Sequence, residues 1–249
     1  MTISPKLPLA ALVGLAMAFG SAPLKADGFD EAERNEIREI VKEYLLENPD
    51  VVLEALREME RRTAAVQEEE RRAAMAAMQA RIFDDPMTPV SGNPEGDVTV
   101  VEFFDYQCGY CKRMLPAMMS VMENDPNVRI VWKELPILGE VSRFAAEAAM
   151  AAAKQDKYLQ FHTAVMGHRG RLSEEVVLQR AQSVGIDIDQ LQADMKSDEI
   201  QSYLDGNLEL ARSLNIGGTP AMIIGDKLVP GAISNEQIVS LIEEVRAGG

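Results

Sequence analysis

The chain has 249 residues, of which 47% are hydrophobic and 26% are charged, and its formal net charge is −15. This length and composition predict a folded globular protein of one or two domains and exclude an intrinsically disordered chain. The acidic balance argues against general nucleic-acid binding and against attachment to anionic membrane surfaces, because both need basic patches.

Residues 1–26 are predicted to be a signal peptide. Lys6 precedes an apolar run from Leu7 to Phe19, and small residues follow, so cleavage is expected after Ala22 or Ala26. The run is short for a membrane span, and the alternative interpretation is an uncleaved N-terminal anchor. The expected location is therefore the periplasm, an oxidising compartment.

Residues 27–83 are predicted to be an N-terminal helical oligomerisation region. An apolar stripe at helical spacing consists of Ile37, Ile40, Val41, Tyr44 and Leu45. Asn48-Pro49 interrupts the pattern, and the next helix carries a heptad-like seam of Val52, Leu56, Met59, Thr63, Val66, Glu70, Ala73, Ala77 and Ala80. A long helix with a thin apolar seam favours self-association. The alternative is a solvated helix that packs on its own domain.

The segment 84–97 is predicted to be a linker, since it contains Pro86, Pro89, Gly92, Pro94 and Gly96. A second domain is then expected over residues 98–249. It begins with Val98–Phe104, a run that is apolar on both faces apart from Thr99 and Glu102 and is typical of a buried central strand.

The rest of the second domain alternates between helix and strand patterns. A helix begins at Cys108, a strand covers Val128–Leu135, and helical patterns fill an insertion at about 140–214. Two short strands and an amphipathic helix close the chain, at Ala221–Ile224, Lys227–Val229 and Asn235–Val245. This order predicts an α/β fold with a helical insertion.

One face of the helix after Cys108 carries methionines every four residues, at Met114, Met118 and Met122. A packing stripe is the favoured interpretation, because methionine fills irregular core space well. A copper(I) site is the alternative, since thioethers are soft ligands.

The two cysteines, Cys108 and Cys111, are spaced Cys-Gly-Tyr-Cys where the strand pattern gives way to a helix pattern. A thiol at a helix start faces unpaired N–H groups and the positive end of the helix dipole, which favour the reactive thiolate. A structural disulfide across two residues would constrain the unfolded chain little. The alternative is half of a zinc site, for which His162 and His168 are the only histidines, at no usual ligand spacing. We therefore expect a redox dithiol, with no metal and no other cofactor.

These motifs resemble those of the DsbA-like thiol-disulfide oxidoreductases. The matching segments are Val101–Cys111, which resembles the active-site strand and helix start, Gly217–Ala221, which resembles the cis-proline loop, and Val229–Ala232 after the last hairpin. The resemblance covers about residue 98 to the C-terminus and implies a thioredoxin-like fold with an inserted helical domain. The N-terminal helices are similar to the extension of trimeric ScsC-type members. This similarity implies that the protein is a homo-oligomer, namely a trimer.

The resemblance also implies roles for individual residues. Cys108 would be the nucleophile and Cys111 the resolving thiol, with Gly109 and Tyr110 tuning the dithiol. Pro220 would follow a cis peptide bond in a loop that binds an extended substrate segment, to which Thr219 contributes backbone groups.

Glu102 would correspond to a buried acid that assists proton transfer at the buried cysteine. The alternative is a solvated carboxylate at a sheet edge. Lys133 is expected either to be the partner of Glu102 or to lie on the surface.

The function expected from these features is that of a periplasmic disulfide isomerase or reductase acting on exported, cysteine-containing client proteins. The Cys-Gly-Tyr-Cys and Thr-Pro motifs also resemble those of the isomerase DsbC. One alternative is a dithiol oxidase that donates its disulfide, although Tyr110 stands where typical oxidases of the family have His. The other alternative is a non-catalytic holdase chaperone. A membrane thiol-redox partner is expected, a reductant for an isomerase and an oxidant for an oxidase, and no nucleic acid.

Overall fold

The computed structural model of the protein describes residue 28 and residues 30–248, so the predicted signal peptide lies outside the described residues. The helices are α1 (Glu31–Glu47), α2 (Pro49–Ala77), α3 (Gln79–Phe83), α4 (Gly109–Asn124), α5 (Glu140–Ala153), α6 (Tyr158–Met166), α7 (Glu174–Ser183), α8 (Ile188–Asp194), α9 (Asp198–Ser213) and α10 (Asn235–Gly248). The strands are β1 (Val90–Gly92), β2 (Val98–Phe104), β3 (Val128–Glu134), β4 (Ala221–Ile224) and β5 (Lys227–Pro230).

The five strands form one mixed sheet in the order β1-β3-β2-β4-β5. Strands β2 and β3 are parallel, and the other neighbouring pairs are antiparallel. With β3 on one side and β4 on the other, β2 is the central strand, as its apolar sequence predicts. Helices α5–α9 form the insertion between β3 and β4. The predicted α/β fold with a helical insertion is confirmed.

The alternation of side chains along β2 separates two apolar cores. Val100 and Phe104 belong to the larger core, which includes Trp132 and the buried face of α4. Val101 and Phe103 face the other side of the sheet and belong to a smaller core, which includes Ile82 of α3. Glu102 shares the face of Val100 and Phe104, so its carboxyl group points toward the α4 side.

The methionine stripe of α4 is part of the larger core. The side chains of Met114 and Met118 are buried, and Met122 packs against them as a partly buried neighbour. This burial supports the packing interpretation over the copper(I) alternative.

The segment 84–97, interpreted from sequence as a linker, contributes a strand. Its residues Val90–Gly92 pair with Arg129–Val131 of β3 and form the edge of the sheet. The strand was not predicted because the proline and glycine content of the segment is typical of a loop. Gly92, its last residue, has a positive φ of 75° that few other residues adopt. By its internal contacts the chain divides within α2, between Arg61 and Arg62.

Lys133 is neither at the surface nor a partner of Glu102, so both expectations for it were wrong. It is paired with Phe103 in the strand register, so it lies on the opposite face of the sheet from Glu102. Its side chain is fully buried there. Its ammonium group donates to the carbonyl oxygen of Arg81 and to Oγ1 of Thr88, both at 2.6 Å. A buried lysine therefore fastens residues 81–88 to the central sheet.

In the first of the two units, α1 and the start of α2 expose their apolar residues. None of the residues of α1 is buried, and Ile40, Val41 and Tyr44 are each at least half exposed. In α2, the exposed residues include Leu56, Met59 and Val66 of the seam, and Met75 is its one buried residue. The predicted helical region is confirmed, and the apolar side chains of its stripe and seam named above are exposed to solvent. None of the helices formed by residues 30–248 is both long enough and apolar enough to span a bilayer.

Candidate active site

Cys108 is the N-cap of α4, the position that the dithiol spacing predicts. Its backbone is extended and its N–H donates to the carbonyl oxygen of Asp105 at 3.0 Å. Its Sγ accepts a hydrogen bond from the backbone N–H of Cys111 at 3.3 Å, as an N-cap side chain does. Both cysteines are free thiols. The nucleophile expected from sequence is therefore held against the unpaired N–H groups of a helix start.

These surroundings lower the pKa of Cys108 to about 5, principally because the Cys111 side chain hydrogen-bonds to its sulfur. Burial opposes this change, while the backbone N–H groups of Cys111 and Tyr110 support it. In its protonated form Cys108 can donate to the carbonyl oxygen of Thr219 at 3.3 Å. At neutral pH the thiolate predominates, and this is the form that attacks disulfides.

Cys111 lies one helical turn further on and is fully buried. The hydrogen bond to Cys108 and the burial both raise the pKa of Cys111 far above its ordinary value. The two thiols thus share one proton unequally, which makes Cys108 the thiolate and Cys111 the thiol. This division matches the roles expected for a nucleophile and a resolving thiol.

The Thr219–Pro220 peptide bond is cis, as predicted, and it lies beside the dithiol. The carbonyl oxygen of Pro220 accepts from the N–H of Gly231. The N–H of Thr219 has no intramolecular acceptor among the described residues. Thr219 lies just before β4 and is partly exposed, so this donor stands at the end of a strand.

Glu102 lies in the central strand, between Trp132 of β3 and Met222 of β4, so the alternative of a solvated edge position was wrong. It is only 2% exposed, and its Oε1 has no hydrogen-bond partner among the described residues. Burial, followed by the charge of Cys108, raises the pKa of Glu102 to about 8. The carboxyl group is therefore mostly protonated at neutral pH, close enough to the dithiol for the charges to interact.

The other two residues of the motif form the exposed rim of the site. Gly109 and Tyr110 occupy the first turn of α4, and the Tyr110 side chain is 61% exposed. The Arg113 guanidinium group lies over the Tyr110 ring, 4.2 Å from its centroid.

Asp105 organises the turn before Cys108, a role that sequence reasoning missed. Its Oδ1 accepts from the N–H of Gln107 and from Oγ of Ser142, both at 2.7 Å. Its Oδ2 accepts from the N–H groups of Ile137 and Leu138 at 2.9 and 3.0 Å. The carboxylate therefore joins the active-site turn to the loop after β3. The Asp105–Gln107 spacing is typical of an Asx turn and could have indicated part of this arrangement.

A second missed feature is a buried polar cluster below the active-site turn. Oε1 of Glu134 accepts from the hydroxyl groups of Tyr158 and Tyr106 at 2.9 and 3.2 Å, and the Tyr106 hydroxyl lies 3.2 Å from Nδ1 of His162. Burial raises the pKa of Glu134 well above its ordinary value and lowers that of His162 to about 3. His162 belongs to α6 of the insertion and is fully buried, with its ring packed between Trp132 and Tyr158.

His168, the other histidine, follows α6 and is half-buried. Its Nδ1 accepts from the Arg180 guanidinium group at 3.1 Å. Within residues 30–248, no group of three or more His, Cys, Asp and Glu side chains is arranged to hold a metal ion.

Comparison with known proteins identifies two families along the chain. Residues 99–243 match the DSBA-like thioredoxin domain, and residues 33–65 match the copper resistance protein ScsC N-terminal domain. The first match includes Glu102, both cysteines and the Thr219–Pro220 loop.

Solved structures with the same architecture include proteins from two bacteria. A thioredoxin-like oxidoreductase from Silicibacter pomeroyi is 47% identical over 68% of this chain and 97% of its own, with a TM-score of 0.66. A linker-deletion and N6K mutant of Proteus mirabilis ScsC is 28% identical, with a TM-score of 0.68, over 90% of this chain and 100% of its own.

Curated relatives match about two thirds of the chain. The disulfide bond formation protein D of Bacillus subtilis is 24% identical over 64% of this chain and 78% of its own length. The chain spans about a quarter of the length of other curated relatives, Na⁺/H⁺ antiporters NhaA of Salinispora arenicola and Salinispora tropica, at 27% identity.

Proposed function

The chain belongs to the family of DSBA-like thioredoxin domains, and from this premise we propose that it is a thiol-disulfide oxidoreductase that isomerises or reduces disulfides of exported client proteins. The observation that carries this proposal is the division of roles between the two cysteines. Cys108 has a pKa of about 5 at the start of α4, and Cys111 behind it keeps its proton.

The first step is attack of the Cys108 thiolate on one sulfur of a client disulfide. The client S–S bond breaks, its electron pair leaves with the second client sulfur as a thiolate, and a mixed disulfide with Cys108 forms. In isomerisation, that client thiolate or another one later attacks the mixed disulfide and restores the Cys108 thiolate, so no net electrons pass.

In reduction, Cys111 loses its proton and attacks Sγ of Cys108. The Cys108–Cys111 bond forms, the client leaves as a second thiolate, and two electrons have passed to the client. A thiol reductant must then reduce the pair before another cycle. This requirement is the basis for proposing a membrane thiol-redox partner.

Glu102 is proposed to accept the proton of Cys111. The negative charge of Cys108 contributes to the raised pKa of the carboxyl group. When Cys108 enters the mixed disulfide, that charge disappears and the pKa of Glu102 falls. A larger fraction of the carboxyl group is then ionised, so a carboxylate is available to take the proton at the step in which Cys111 must ionise.

Thr219 and Pro220 are proposed to bind the client backbone next to the reacting sulfur. The N–H of Thr219 is unpaired within the described chain, and its carbonyl oxygen lies 3.3 Å from Sγ of Cys108. A client segment added as a short strand at this loop would bring its own sulfur to Cys108 without recognition of a particular sequence.

The N-terminal helices are proposed to join several copies, in a trimer, through the uncovered stripe of α1 and the seam of α2. Residues such as Ile40 and Leu56 are 59% and 46% exposed, and single apolar faces of this length rarely remain in water. The match of residues 33–65 to the ScsC N-terminal domain supports the same assignment. Several dithiols held together suit the correction of wrong disulfides better than the formation of new ones.

The periplasm is the proposed location, because the apolar run of residues 7–19 and the small residues after it have the pattern of a secretory signal. A reduced dithiol in that oxidising compartment again requires a reducing partner.

The decisive experiment measures the redox state of Cys108 and Cys111 in growing cells by thiol trapping, together with refolding of scrambled ribonuclease. A reduced pair that refolds the scrambled enzyme supports isomerisation or reduction. An oxidised pair that rapidly oxidises reduced ribonuclease favours the dithiol oxidase. Full protection of unfolded clients by the Cys108→Ser variant would favour the holdase chaperone.

A further inference from the structure

An open cleft of about 560 Å³ begins at Gly109, the residue that follows Cys108. One wall is the start of α4, with Gly109, Lys112 and Arg113, and the other is the loop 167–170 after α6. Apolar side chains, including Leu115 and Met166, form part of its lining. The cleft therefore combines an apolar surface with a polar rim, next to the residue that attacks the client.

The rim is cationic although the whole chain has a net charge of −15. Lys112, Arg113 and Arg169 all line the cleft, and none of its lining residues among those described is acidic. Nζ of Lys112 donates to the carbonyl oxygen of His168 at 3.2 Å, and Arg169 is exposed. None of the three cations forms an ion pair within the described chain, in contrast to residues such as Arg143 and Arg246.

The carboxylate that acts on Lys112 from within the chain is Asp105. Both of its oxygens already accept hydrogen bonds, from Gln107, Ser142, Ile137 and Leu138. One carboxylate stands against three cations, so the cleft keeps a net positive charge for a ligand from outside the chain.

A client bound at the cysteine can reach this charge. Lys112 and Arg113 follow Cys108 by four and five residues, about one turn or roughly 6–8 Å along α4. An extended chain advances about 3.3 Å per residue, so client residues two or three positions from the reacting cysteine lie at the right distance. A segment held at Thr219 that continues past Cys108 and Gly109 enters the cleft.

We propose that this cleft binds an acidic segment of the client polypeptide, so that the protein prefers disulfides whose cysteines have Asp or Glu nearby. The carboxylates contact the Lys112, Arg113 and Arg169 groups, and the side-chain methylenes lie on the apolar lining. This inference rests on the proposed thiol exchange and adds a substrate class to it. Net charge alone would predict the opposite preference, because an acidic protein repels acidic peptides.

The test uses the reduced full-length protein and three disulfide-linked homodimeric peptides. They differ only at the second and third residues from cysteine, which are Glu, Gln or Lys. Consumption of each peptide disulfide is followed by acid quenching and chromatography. Each rate is divided by that with dithiothreitol to remove differences in intrinsic reactivity. At low ionic strength we expect the Glu peptide to react about three- to tenfold faster than the Gln peptide, and the preference to fade in about 0.5 M salt.

Arg169→Gln is the informative variant, because the side chain is exposed and forms no hydrogen bond or ion pair with the described residues. The Glu-to-Gln rate ratio should fall by about two- to fivefold in this variant. Arg212→Gln is the matched control, since it removes the same charge from an exposed arginine that does not line the cleft, and it should keep the wild-type ratio.

A wild-type ratio near one, an unchanged ratio in Arg169→Gln, or an equal loss in Arg212→Gln would each overturn the inference. The inference is also wrong if the reaction with oxidised glutathione slows in Arg169→Gln while the reaction with the Glu peptide does not, because the cleft would then bind a small disulfide. These outcomes differ from failure of the proposed function, in which none of the peptides would react with Cys108.

Discussion

The pKa of Cys108 depends most strongly on the side chain of Cys111, and this dependence can be measured. We compare the wild type with Cys111→Ala, which removes the hydrogen-bond donor, and Cys111→Ser, which replaces it with a hydroxyl group. Both substitutions leave Cys108 at the N-cap of α4 with its backbone N–H contacts.

The magnitude follows from the structure. With a pKa of about 5, Cys108 is almost entirely thiolate at pH 7, whereas an ordinary thiol with a pKa of about 8.5 is only a few per cent ionised. One hydrogen bond contributes about 1–1.5 kcal/mol, which corresponds to roughly one pKa unit. We therefore expect the apparent pKa of Cys108 to rise by about one unit in Cys111→Ala and by less in Cys111→Ser.

The assay is the pH dependence of the rate of alkylation by iodoacetamide. The ultraviolet absorbance of the thiolate, followed against pH, is a second measure. In the wild type, the buried Cys111 stays protonated across the range and the profile reports Cys108. The reasoning is refuted if the wild-type rate increases only near the pH at which a free cysteine ionises. It is also refuted if Cys111→Ala gives the same profile as the wild type.

Three further predictions concern other parts of the molecule. Glu102→Gln should stabilise the reduced protein relative to the wild type by roughly 3–5 kcal/mol at high pH, measured by urea unfolding. The pKa of Glu102 in the folded protein is about 8, above its value in the unfolded chain. The stability of the wild type is therefore highest in acid, falls once the unfolded chain ionises, and has lost this contribution when the pH passes 8. Parallel curves of unfolding free energy against pH for the two proteins would contradict this prediction. Leu56→Glu should convert the proposed trimer to a monomer in light scattering, whereas an unchanged mass would exclude the seam as the interface. Tyr158→Phe should cost about 1–3 kcal/mol of unfolding free energy, because it removes one of the two tyrosine donors to Glu134. Tyr110→Phe, at an exposed position outside the proposed interface, should have almost no effect on the unfolding free energy.

The dithiol and its neighbours could be predicted because their signals are local in sequence. Cys108 and Cys111 lie three positions apart at a change from strand to helix pattern, and Glu102 interrupts an otherwise apolar strand. The alternation of side chains along β2 then determines that Glu102 faces the α4 side. The Thr219–Pro220 loop was identified from its resemblance to a family motif.

The errors concern contacts between residues that are distant in sequence. Glu134 ends strand β3 and gives no sign that Tyr106 and Tyr158 will donate to it, because these tyrosines come from the active-site turn and from α6. Lys133 has a polar side chain in a strand pattern, and only the packing of residues 81–88 explains its burial. Periodicity reports which face of an element is buried, but it carries no information about the partner across the core.

The contacts of Lys133 have a consequence for the exchange of modules between related genes. Burial lowers the pKa of Lys133 to about 8, and its acceptors are supplied by Arg81 and Thr88, upstream of the recognisable domain that begins near Val98. A recombination event that joined foreign helices directly to β2 would leave the ammonium group in the interior without acceptors, at a cost of several kcal/mol. Crossovers before Arg62 keep both acceptors and Ile82, so viable hybrids should inherit α3 together with the redox domain.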